Sequence, residues 1–60
     1  MTPADFLDAL EAELRLRGVA FDRRALVAFV EAAWPLIAED PDAGLWAREF
    51  IAAGNATVPA

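Results

Sequence analysis

One proline decides more about this chain than any other residue. Pro35 stands inside Ala25–Ala38, a stretch reading ALVAFVEAAWPLIA in which Glu31 is the single charge. On a helical wheel Leu26, Val30, Ala33 and Ile37 make one seam, widened by Val27 and Trp34 on one side and by Phe29 and Leu36 on the other. The back of the wheel is mostly alanine, at Ala25, Ala28 and Ala32. Such a helix is apolar nearly all round, which is the pattern of a buried helix. Pro35 cannot donate to the Glu31 carbonyl and disfavours helical geometry at Trp34. Leu36 and Ile37 nevertheless keep the helical period, so the reading is a kink rather than a stop.

Helical signals flank this segment. Thr2-Pro3-Ala4-Asp5 places a capping residue, a proline at the first helical position and an acid at N3. It is a capping box with Asp where Glu is usual. A first helix over about 3–17 carries Phe6, Leu7, Leu10 and Leu14 on one stripe, with acids early and Arg15 and Arg17 late, as the dipole favours. Glu11 and Arg15 form a favourably oriented i, i+4 pair. Gly18 ends that helix and Val19 folds back over its last turn. The short connection Gly18–Phe21 makes the first two helices antiparallel neighbours.

Asp22 caps a second helix over about 23–38, with Phe21 and Leu26 as a hydrophobic staple. Arg23 and Arg24 oppose the dipole there, which points to acids of the first helix, or of a partner, as their counterions. Asp40 and Pro41 read as cap and first residue of a third helix over about 41–53, whose stripe is Trp46, Phe50 and Ala53. Gly54-Asn55 stops it, and residues 54–60 read as a fraying tail. The expected fold is all-α: a small three-helix bundle in one domain, the central helix kinked near Pro35 and the other two packed on it.

A 60-residue chain buries only about 60% of the surface its unfolded form exposes. Small domains commonly add disulfides, a metal or association. With no Cys and no His, association is the addition left. The expectation is therefore that another protein surface helps to cover the middle helix.

Chemistry is excluded more firmly than it is offered. The chain lacks His, Cys, Ser, Lys, Tyr and Gln, and its two Thr lie near the ends. Nucleophilic catalysis draws on those residue types. A pair of carboxylates working on a glycoside needs a cleft larger than this chain builds. No enzyme, cofactor or metal is expected. Asp40-Pro41-Asp42-Ala43-Gly44 opens like a calcium loop, but its glycine is one place early and Ile51 stands where the closing Glu belongs. A helix-turn-helix reading fails as well, because the second helix turns apolar after Arg23 and Arg24.

Net charge is −5, which disfavours nucleic acid and anionic membranes. The start is acidic rather than basic, and the apolar run falls short of the roughly 20 residues of a membrane span. The expected location is the cytoplasm. The expected function is a non-catalytic protein-interaction module, first as a homo-oligomer, most simply a dimer. A small accessory subunit docking on a larger protein is the alternative, and an acidic regulator occupying a basic nucleic-acid-binding site is a further one. Candidate interaction residues are Leu16, Phe29 and Leu36, which lie off the main seams, the aromatic anchors Trp34 and Trp46, and Phe50.

Overall fold

The computed structural model describes residues 1–58. It is mostly helical: α1 spans Pro3–Leu16, α2 Arg23–Glu39 and α3 Ala43–Ala52, all in mutual contact. Two short strands, β1 (Ala20–Phe21) and β2 (Ala56–Thr57), pair antiparallel, with Ala20 opposite Thr57 and Phe21 opposite Ala56.

The start of α1 follows its sequence closely. The Asp5 N–H donates to the Thr2 hydroxyl at 3.2 Å, and the Thr2 N–H donates to the Asp5 carboxylate at 3.3 Å. Both bonds of the capping box are present, so Asp is long enough to close it here. The end of α1 is a Schellman motif. Gly18 takes φ +69°, its N–H donates to the Arg15 carbonyl, and the Val19 N–H donates to that of Leu14. The end of α3 repeats the device, with Gly54 at φ +83° and bonds from Gly54 to Ile51 and from Asn55 to Phe50. Each motif turns the chain from a helix into a two-residue strand, and the two strands then meet. Residues 56–57 are thereby tied to residues 20–21, which corrects the expectation of a fraying tail; residues 59–60 lie outside the described part. A single strand pair is invisible to a periodicity reading, because two residues carry no period.

α3 begins two residues later than its sequence signal. Asp42, not Asp40, is the cap: its Oδ1 accepts from the Gly44 and Leu45 N–H groups at 3.0 and 3.3 Å. Asp40 instead closes α2, its N–H donating to the Ile37 carbonyl. Pro41 sits between the two helices as the connector. α2 is assigned as one helix from Arg23 to Glu39, with Pro35 inside it.

The core is Phe6, Leu10 and Leu14 from α1, Val19, Leu26, Val30 and Ile37 from α2 and its approach, and Ala47 and Phe50 from α3. No polar or charged side chain is buried among the described residues. α1, rather than α2, is the central element: it packs extensively on both other helices, which touch each other less. α1 buries Phe6, Leu10 and Leu14 one turn apart on a single stripe, and α2 buries Leu26, Val30 and Ile37. α2 and α3 meet instead through aromatic edges. Phe29 contacts Phe50 with ring centres 5.2 Å apart and Trp46 at 6.3 Å, both edge-on.

Arg23 joins α2 to α1. Its Nη1 donates to both carboxylate oxygens of Glu11 at 2.9 Å, and Arg15 approaches the same carboxylate at 3.6 Å. Arg17 pairs with Glu13 at 3.3 Å and donates to the Gly44 carbonyl of α3 at 3.1 Å. Arg23, which opposes the dipole of its own helix, and Arg17, which does not, both tie one helix to another.

Candidate interaction surface

α2 is half covered. Leu26, Val30 and Ile37 are buried, and Ala25, Val27, Phe29, Ala33 and Trp34 are half-buried. The opposite side is exposed: Arg24, Ala28, Glu31, Ala32, Pro35, Leu36 and Ala38. The expectation of a helix buried all round is therefore corrected for the single chain. A 33 × 18 × 16 Å body of three helices has no layer left to cover the second side. The whole chain exposes 3812 Å², close to the about 3,800 Å² of a compact monomer of this mass. What distinguishes the outward side of α2 is its chemistry rather than its extent: alanine, proline and leucine with one arginine and one carboxylate.

A shallow groove borders this side. Towards α1 it is lined by Pro3, Ala4, Leu7, Val27, Val30 and Glu31, with a volume of about 270 Å³. A more open hollow of about 440 Å³ adjoins it at the start of α2, bounded by Asp22, Arg23, Arg24, Val27, Ala28 and Glu31. Val27 and Glu31 belong to both. Of these residues the wheel reading singled out Val27 as the widened edge of the seam. Pro3, Ala4 and Leu7 were hidden because the groove needs two helices.

The six candidate residues divide sharply. Leu16 at the end of α1 and Leu36 on α2 are 83% and 61% exposed. Phe29 is half-buried between α2 and α3, its ring against Trp46 and Phe50. Phe50 is fully buried, which corrects its place among the contact residues: it is core. Trp34 and Trp46 are both half-buried, and each packs on a phenylalanine. Trp34 tilts against Phe6 at 6.2 Å, and Trp46 sets its edge to Phe29. The Trp46 Nε1 donates to the Asp40 carbonyl at 2.7 Å. The Asp40 carbonyl, which a cap at Asp40 would offer to the Gly44 N–H, accepts here from the Trp46 indole and from the Asp42 N–H at 2.8 Å.

No family model, curated protein or solved structure matches this chain. Its own chemistry is the guide that remains. Among the described residues no group of three or more His, Cys, Asp or Glu converges on a metal-sized site, and no buried side-chain polar atom lacks a hydrogen-bond partner. No helix among the described residues is long and apolar enough to cross a membrane. One titratable group stands out: the Asp5 carboxyl is held below its ordinary value of 3.8 by the Thr2 backbone N–H and then by the Thr2 hydroxyl. That is a helix cap at work rather than a reactive acid. The outward side of α2 is exposed and carries Ala28, Ala32, Pro35, Leu36 and Ala38 beside Arg24 and Glu31.

Proposed function

We propose that this chain is a non-catalytic protein-interaction module that self-associates, as a two-fold dimer, through the outward side of α2. The observation that carries the reading is the exposed run Ala28, Ala32, Pro35, Leu36 and Ala38 on a helix whose other side is core. Small side chains let two helix backbones approach closely, and Leu36 supplies bulk at one edge. An isologous contact needs a surface that suits itself, and an alanine-rich face has little to clash with its own copy. The kink expected at Pro35 belongs to the same proposal. It frees the Glu31 carbonyl on the exposed side as a polar anchor for a partner.

Sedimentation equilibrium from low micromolar to millimolar concentration tests the reading. A mass rising to twice 6.5 kDa supports it. A cooperatively melting species that keeps the 6.5 kDa monomer mass throughout that range overturns it.

Leu16 favours a second reading. It is the most exposed large apolar residue and lies on α1, away from the α2 stripe. A larger protein whose groove covers both Leu16 and α2 would make the chain an accessory subunit. A stable complex of one copy with one such protein, lost on Leu16→Asp, distinguishes this from self-association.

A further inference from the structure

We infer that the second copy lies antiparallel across the first, with Arg24 of each α2 set against the partner's Glu31, twice about one two-fold axis. The inference rests on the self-association proposed above and adds its orientation and the residues that fix it. Arg24, Ala28, Glu31 and Pro35 recur every three or four residues, which puts them on one stripe of α2, and all are exposed. No ion pair of the described residues takes up Arg24 or Glu31, whereas Arg15, Arg17 and Arg23 each hold a carboxylate of α1.

The charges are placed to complement a copy of themselves. Arg24 precedes Ala28 by about 6 Å along the axis and Glu31 follows it by about 4.5 Å. A two-fold axis crossing the helix at Ala28 therefore brings Arg24 level with the partner's Glu31 to within about 1.5 Å. That rotation also keeps each flank of the helix on its own side. Arg24 and Glu31 share the flank that borders Val27, so the two charges meet rather than pass. Ala28, with its small side chain, then stands where the backbones come closest, and Leu36, about 12 Å from the axis, lies level with the partner's β1 just before its α2. A parallel pair instead sets each arginine and each glutamate level with its own copy on the opposite flank, so no opposite charges meet and the like charges lie across the interface. The choice of helix follows from charge as well. α2 carries two arginines and, before its last residue, one glutamate, while α1 carries four acids and one arginine. Two copies of a chain with net charge −5 repel less where they meet on α2 than on α1.

Charge exchange tests the orientation. Arg24→Glu and Glu31→Arg each place like charges together twice in an antiparallel pair, so each weakens the dimer by about tenfold or more. The double exchange R24E/E31R restores the attraction and returns association to near the original strength. Both positions are exposed, and circular dichroism confirms that the variants fold. The chain has no native cysteine, so a nitroxide on Ala38→Cys reports one distance. It is about 30 Å in the antiparallel pair and about 10 Å in a parallel one. A dimer indifferent to the single exchanges, or one giving the short distance, overturns the orientation while leaving self-association standing. A chain that stays monomeric overturns both.

Discussion

The indole of Trp46 reaches back to the carbonyl of Asp40 across 2.7 Å, and so ties the first part of α3 to the last residue of the preceding helix cap. Around that bond the corner Asp40-Pro41-Asp42 is fixed without any buried polar group.

Replacing Trp46 by Phe keeps a ring against Phe29 and removes the donor. The cost expected is about 1 kcal/mol, that of one hydrogen bond whose acceptor water then reaches. Trp46→Ala also removes the edge contact with Phe29 and costs more, about 2–3 kcal/mol for a half-buried ring. Urea unfolding followed by circular dichroism measures both, and equal losses for the two variants would show that the hydrogen bond, not the ring, holds the corner.

Phe29 and Leu36 were equivalent on the helical wheel and are opposite in the fold. Phe29→Asp puts a charge between Trp46 and Phe50 and is expected to unfold the chain, because an unpaired charge there costs several kcal/mol. Leu36→Asp leaves the melting temperature of the monomer nearly unchanged and weakens association instead. Thermal melts and sedimentation of both variants check the pair; a folded Phe29→Asp chain would move Phe29 back to the surface.

Acid acts on the first turn of α1. The Asp5 carboxyl has a lowered pKa in the folded chain, so its contribution to stability is full above the ordinary value of 3.8 and fades as pH falls through the lower folded value. Thr2→Ala removes one of the two bonds that lower it. The Asp5 pKa should rise towards 3.8, and the variant should lose more stability at pH 6 than at pH 2. Carboxyl NMR titration with melts at both pH values measures this, and an equal loss at the two would detach Asp5 from the cap.

Gly18 and Gly54 hold left-handed backbone in open space, with nothing within 4 Å of an added Cβ. Alanine at either place therefore pays only the backbone penalty, about 1–2 kcal/mol. Gly54→Ala should also loosen the pairing of Ala56 with Phe21, seen as faster amide exchange at the strand bonds. Unchanged exchange there would mean that the strands hold without the turn.

Much of this was readable one helix at a time. Phe6, Leu10 and Leu14 follow a period that any core-facing helix needs, and all three are buried. Thr2, Asp22, Gly18 and Gly54 mark helix ends because each satisfies backbone groups a few residues away. Arg23 on Glu11 was half legible: an arginine at the wrong end of a dipole calls for an acid, but not for a particular one. Where the reading went astray, the deciding partner lay far along the chain. The Asp40 carbonyl meets the indole of Trp46, the strand at Ala56–Thr57 needs β1, and Phe50 packs on the ring of Phe29 and in a core drawn from all three helices.

The sequence by itself determined three helices, their stops and most of their inward faces, since periodicity and capping are set within a turn or two of chain. Only the tertiary structure decided that α1 is the hub, that the tail is tied down, and that the alanine side of α2 faces outward. A helix wheel records which side chains are apolar. It does not record which of them the other two helices cover: Ala47 is fully buried, while Leu16 and Leu36 stand out.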